Sequence, residues 1–304
     1  SSLKTAPPHR IVRFPLPHFG LLAMERVRAI SGHVVPAPTG AVDSGVQADV
    51  APSSPRKAAS PKDRHSKQEW EARCQLALAY RIASYYEWDQ LVFNHITMKV
   101  PGTENVEGGP HFLINPFGLR FDEVTASCLL KCDLDGNVVD KGTNKGPLFK
   151  QGFVVHSAVH AARPDLKCVW HCHHADITAV SMTKVGLLPI SQEAIGLTGA
   201  LSYHPFEGTA TDLDERERMA KSLGPKNKVM MLVNHGPITA GGSVVEAFLY
   251  MYLMMKSCQW QIKAMSAAGG DLSKLNVPSG EHLQQLYQRA KDSQDKKRDH
   301  VGQK

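Results

Sequence analysis

Between Lys167 and Gly236 the chain alternates short apolar runs with amphipathic stretches, and no other feature constrains its fold as tightly. "KCVW", "LLPIS", "ALSYH" and "VMMLVNHG" read as strands, while "ADITAVSMTK" and "DLDERERMAKSLG" between them read as helices. A sheet and an amphipathic helix each expose an apolar face, so interleaved elements bury both only by stacking in layers. Upstream, "LVFNHITMKV", "HFLINP" and "LLKCDLDGNVV" predict further strands, the last with an Asp135-Gly136 turn that suits an antiparallel hairpin. The pattern predicts one α/β or α+β layered domain with a single core and no internal repeat.

Its boundaries follow from helix signals. "SKQE" at Ser66 has the form of a capping box, and Trp70, Cys74, Ala77, Leu78, Ile82 and Tyr85 follow at helical spacing. A second helix, "GFVVHSAVHAA", is stopped by Arg163-Pro164. A third starts at Ser243 with the box "SVVE" and runs to Gly269-Gly270. Its Phe248, Met251, Tyr252, Met255 and Gln259 read as core or subunit interface. Residues 1–65 mix Pro, Ser, Ala, Gly and basic residues without periodicity and are expected to be a disordered leader, with an organelle transit peptide as the alternative. Residues 66–272 form the expected domain, and 273–304 a polar helix fading into a tail.

The formal net charge of +6 raises the question of nucleic acid. Much of it lies in the leader, where up to Lys62 only Glu25, Asp43 and Asp49 oppose Lys4, Arg10, Arg13, Arg26, Arg28, Arg56, Lys57 and Lys62. The body is nearly balanced and lacks aromatics interleaved with bases, so no nucleic-acid partner is expected. Glu246 and Lys256 interrupt the most apolar stretch, which leaves no transmembrane segment of the roughly 18–20 residues a bilayer requires. Six cysteines without a C-x-x-C pair suit a reducing, cytoplasmic setting.

The run "VWHCHHADITAVS" (169–181) carries the chemistry. If the strand entered at Cys168 continues, His171 and His173 share one face while Cys172 and His174 share the other. An H-x-H pair on a strand is half of a metal site, and a third histidine, His235, follows another strand in Asn234-His235-Gly236. Three imidazoles suit Zn²⁺, Fe²⁺ or another divalent transition ion and leave a coordination position open for substrate or water. The plainer reading is chance clustering among 15 histidines. Cys172 reads as a small buried hydrophobe and His174 as a neighbour of the ligands; His156 and His160, four apart on a helix, read as packing or solvent-facing residues.

The segments "GFVVHSAVHAARPDLKCVWHCHHADITAVS", "DLDERERMAKSLGPKN", "NHGPITAGG" and "HFLINPFGLRFDEVTASCLL" together resemble the class II aldolase/adducin family over about residues 67–270. The resemblance implies a three-layer α/β/α domain with a central, mainly antiparallel sheet, usually assembled as a homotetramer. It also implies zinc on His171, His173 and His235, stabilising an enediolate as a carbon–carbon bond breaks, with a glutamate moving the proton. That glutamate's position holds Gly152 here, the family's phosphate loop reads Asn94-His95-Ile96-Thr97, and its paired serines read Lys150-Gln151. The departures resemble the adducin-head branch. The implied function is metal-enolate, lyase-type or decarboxylase chemistry on a small hydroxy- or keto-substrate, sugar- or acid-derived. The alternative is a noncatalytic oligomeric scaffold associated with actin and spectrin. His95, Asn115 and Gly118 are the expected substrate contacts, and Glu193 and Tyr203 the candidate acid/base groups.

Overall fold

The computed structural model describes residues 60–301 apart from Lys145 and residues 209–212. Most of the expected leader, residues 1–59, lies outside the described residues. Described order begins upstream of Ser66, with a 3-10 turn over Pro61–Arg64 whose Ser60 hydroxyl donates to Asp63 Oδ2 at 2.8 Å.

Helix α1 (Lys67–Tyr85) starts where the capping signal places it, because Ser66 Oγ accepts the Glu69 N–H at 3.1 Å. The expected reciprocal bond from Glu69 is absent from the cap. Its carboxylate turns inward instead, accepting from Arg73 Nε at 2.9 Å and Lys131 Nζ at 2.9 Å. This changes the face the helix buries. Arg73, paired also with Asp140 at 2.8 Å, is fully buried with Leu76, Tyr80 and Ala83, whereas Cys74, Leu78 and Tyr85 of the expected stripe are exposed. A spacing rule that counts only apolar residues misses a stripe built around a neutralised arginine.

Strands β1 (His95–Lys99), β2 (Phe112–Ile114), β3 (Leu130–Cys132) and β4 (Val138–Asp140) form an antiparallel meander, with β3 and β4 joined at the expected Asp135-Gly136 turn. After helix α2 (Lys150–Ala162) the chain enters β5 (Cys168–His171), which pairs antiparallel with β1. Helices α3 (Ala175–Ser181) and α4 (Gln192–Thr198) follow, then β6 (Leu201–His204), α5 (Leu213–Leu223), β7 (Val229–Leu232) and β8 (Gly236–Gly241). Helices α6 (Val244–Ala267) and α7 (Gly280–Val301) end the described chain. The sheet order is β4-β3-β2-β1-β5-β8-β7-β6, antiparallel throughout except for the parallel β6–β7 pair.

Two segments depart from expectation. "LLPIS" is no strand: the Leu187 N–H is taken by the Tyr203 hydroxyl at 2.9 Å and the Leu188 N–H by Gln261 Oε1 at 2.7 Å, so side chains satisfy donors a ladder would use. Ser191 then caps the unexpected α4 by accepting the Ala194 N–H. Conversely, "GPITAG" forms β8, a fully buried strand between β5 and β7. Its Gly and Pro content hides it, since both are poor strand formers.

Alternation along the strands sorts the side chains into layers. Cys168 and Trp170 of β5, Ile96 of β1 and Met231 of β7 face a core closed by α1, α3, α4 and α6. Val169, Met230, Ile238 and Ala240 face the opposite side, where α2 and α5 pack. The result is a mixed α/β fold with helices on both faces of one sheet. His95, Thr97 and His171 fall by the same alternation on the α2 side.

Candidate metal centre

His171 is the last residue of β5, His173 lies two residues on, and His235 occupies the turn between β7 and β8. That turn is tight, with Asn234 at φ +60, a left-handed conformation that asparagine tolerates better than most residues. Gly236 closes it against the β5 end, because a Cβ there would lie 2.7 Å from the Cys172 carbonyl oxygen. The close approach brings together residues 62 positions apart, with His173 Nε2 at 2.9 Å from His235 Nε2. His171 Nε2 lies 3.0 Å from His173 Nε2.

The hydrogen-bond partners decide which of these nitrogens carry protons. His171 Nδ1 lies 2.9 Å from the Pro237 carbonyl, which only accepts, so Nδ1 holds the proton and Nε2 a lone pair. His173 Nδ1 lies 2.7 Å from Gln90 Oε1, and the same reasoning leaves its Nε2 unprotonated. Two lone pairs therefore confront each other across 3.0 Å, an arrangement that repels unless a cation lies between them. Zinc–nitrogen bonds of about 2.0–2.1 Å at a tetrahedral angle place ligand nitrogens about 3.3 Å apart. The donor set fits a divalent transition ion, and the carbonyl and amide behind it supply the orienting contacts that metal-bound histidines use. Burial first, then the neighbouring imidazoles, holds His171 well below the ordinary histidine range, and His173 is pushed down to about 4. Both are neutral, ligand-competent bases at neutral pH.

The triad opens into a cavity of about 370 Å³, walled also by Gln90, Phe93, His95, Phe149, Gly152 and Phe206. His95 is buried and stacks on His171 with ring centroids 5.1 Å apart. Gly152, in the first turn of α2, makes room for it: a Cβ there would lie 2.3 Å from His95 Nε2 and 2.5 Å from its Cδ2.

The other expected site residues lie elsewhere. Asn115 is buried with its Oδ1 accepting the Tyr80 hydroxyl at 2.8 Å, and neither it nor Gly118 lines the cavity. Glu193 sits in the first turn of α4, and the Tyr203 hydroxyl is engaged by the Leu187 N–H. Neither of these is a cavity residue. Cys172 is buried on the opposite face, its Sγ 3.6 Å from Met251 Sδ, and His174 caps α3 by accepting the Asp176 N–H. Sequence reasoning missed Gln90, which precedes β1 without a motif, and it gave His156 and His160 no partner. Both are buried on α2 and hydrogen-bonded to β1. Their i, i+4 spacing on the face toward β1 was the available signal.

Comparison with known proteins gives a consistent result. The family described as Class II Aldolase and Adducin N-terminal domain matches residues 74–262. Alpha-adducin of Mus musculus is 46% identical over 206 residues, covering 68% of this chain but only 27% of the adducin. The crystal structure of an aldolase II superfamily protein from Pseudomonas syringae is 45% identical with a TM-score of 0.69, covering 75% of this chain and 88% of that one. An L-fuculose 1-phosphate aldolase from Glaciozyma antarctica PI12 is 25% identical with a TM-score of 0.62, covering 78% and 86%.

Proposed function

Because the chain belongs to the class II aldolase and adducin family, we propose that it is a metal-dependent enzyme acting on a small hydroxy- or keto-substrate, sugar- or acid-derived, by lyase-type chemistry. The observation that carries this reading is the pair of unprotonated imidazole nitrogens of His171 and His173 3.0 Å apart, with His235 Nε2 2.9 Å from the second, in the wall of a cavity of small-metabolite size. A divalent ion held by His171, His173 and His235 would act as a Lewis acid toward a substrate carbonyl, favouring the enolate that lyase and decarboxylase steps share. The chain's own residues do the rest. Pro237 and Gln90 fix the two rings, Phe93, Phe149 and Phe206 supply apolar wall, and His95 lines the substrate volume. Zn²⁺ is the first choice of ion and Fe²⁺ the second, on the ligand set alone. We place the protein in the cytoplasm as a homotetramer, on family grounds. No described helix is long and apolar enough to cross a membrane.

A second reading is a noncatalytic, adducin-like oligomeric scaffold. It is favoured by the 46% identity to alpha-adducin and by the absence of a carboxylate at Gly152. The test is to measure metal bound by the purified protein and to screen aldol cleavage and decarboxylation of small keto- and hydroxy-compounds, with actin co-sedimentation in parallel. Turnover that requires metal and disappears in His173→Ala supports the enzyme. Bound metal without turnover, accompanied by co-sedimentation, overturns it in favour of the scaffold.

A further inference from the structure

A continuous hydrogen-bonded line runs from the β5 side of α2 to the cavity, and its far end fixes its direction. His160 Nδ1 lies 3.2 Å from the Leu166 carbonyl oxygen, which only accepts, so the proton is on Nδ1 and Nε2 is bare. Thr97 Oγ1, at 2.8 Å from that Nε2, must therefore donate its hydrogen to it. The same oxygen then accepts from His156 Nδ1 at 2.7 Å, which leaves His156 Nε2 as an acceptor. His95 Nδ1, at 2.6 Å, donates to that nitrogen. Each neutral imidazole has one proton, so the remaining nitrogen of His95, Nε2, carries a lone pair.

His95 lines the cavity beside the histidine triad. Nε2 has no hydrogen-bond partner among the described residues, and the absence of a side chain at Gly152 leaves room for the ring, since a Cβ there would lie 2.5 Å from His95 Cδ2. His156, Thr97 and His160 are all buried, so water does not reshuffle the protons along the line.

We propose that His95 is the general base of the cavity, taking a proton at Nε2 from the carbon next to a substrate carbonyl, and that His156, Thr97 and His160 are positioning residues that hold it in the competent tautomer. In the step, the substrate C–H bond breaks and its electron pair becomes the carbon–carbon double bond of an enolate. The carbonyl pair moves onto oxygen, and an N–H bond forms at Nε2. The imidazolium so formed keeps its Nδ1–H donated to the bare Nε2 of His156. Return of the proton from Nε2 to carbon, or its loss to solvent, restores the base. The proposal rests on the metal-enolate reading above and supplies the proton-moving group which that reading lacks.

Two measurements test it. Long-range ¹H–¹⁵N correlation on the uniformly labelled, metal-free protein reads the tautomers directly, and the expected result is Nδ1–H with a bare Nε2 for His95, His156 and His160. A proton on His95 Nε2 overturns the proposal. On the zinc-loaded protein, exchange of the C–H hydrogens of dihydroxyacetone with D₂O is followed by NMR. His95→Asn is expected to slow exchange by about 100-fold or more at unchanged zinc content. Thr97→Val is expected to slow it also, and Thr97→Ser to restore it. Exchange that survives His95→Asn, or zinc lost from that variant as it is from His171→Ala, overturns the role of His95 alone. No zinc-dependent exchange in the wild-type protein overturns the enzymatic reading itself, whatever the tautomers are.

Discussion

Replacing Gly152 with alanine isolates the contact on which the cavity depends. The added methyl would meet His95 Nε2 at 2.3 Å, His95 Cδ2 at 2.5 Å and Phe149 Cδ1 at 2.7 Å, all well inside van der Waals separation. Neither neighbour yields freely. The His95 ring is tethered to His156 at 2.6 Å and stacked on His171, and Phe149 stacks on Phe117 at 4.9 Å. Overpacking costs about 1–3 kcal/mol, and pulling His95 off its buried partner costs roughly the same again. The helix gains at most about 1 kcal/mol from exchanging glycine for alanine, and less in its first turn. The expected net loss is about 1–6 kcal/mol, read as a lower urea midpoint at constant slope, together with disappearance of the His95 Nδ1–H···His156 cross-peak. An unchanged or raised midpoint with the His95 resonances in place would refute the close approach.

Further outcomes follow from other contacts. Gln90→Leu removes the acceptor behind His173 and is expected to weaken zinc binding by about 10–100-fold in a competitive chelator titration without changing the circular dichroism; unaltered affinity would mean that Gln90 does not orient the ring. Arg73→Ala leaves Glu69 and Asp140 without their buried partner and is expected to cost about 3–5 kcal/mol in denaturant unfolding, a loss far above that of an exposed ion pair. His160 is pushed down to about 3 by burial, whereas in an unfolded chain it titrates near 6.5, so the unfolded state alone takes up that proton between the two values. Stability therefore falls as pH drops through that window, by roughly 1 kcal/mol per pH unit at most for this residue, and His95 and His156 act in the same direction. Urea midpoints measured from pH 7 to pH 5 should decline steadily; a flat profile would contradict the burial of these rings as neutral groups.

The residues that were legible in the sequence were those whose local pattern and tertiary role coincide. The H-x-H alternation at the end of β5 placed His171 and His173 on one face, and the strand running into His235 pointed to the third member. Where a polar residue took a buried role through a distant partner, the pattern misled. Arg73 displaced the expected stripe of α1 because Asp140, 67 positions away, neutralises it. "LLPIS" lost its strand to Tyr203 and Gln261, and β8 was hidden by residues whose weak propensity is overridden by pairing on both edges. The line from His160 to His95 crosses between α2 and β1, so no spacing within either segment could reveal it.

The arrangement of donors on strand ends has a consequence for how such a protein diversifies. His171 and His95 belong to neighbouring central strands, and His235 to a tight turn locked against them, so the reactive floor is as rigid as the sheet. Phe93 and Phe206, by contrast, line the cavity from connecting segments and touch none of the ligand nitrogens. Substitutions in those connections would alter which molecules enter without disturbing the nitrogens beneath. One chemistry could thereby be retained while its clientele changes.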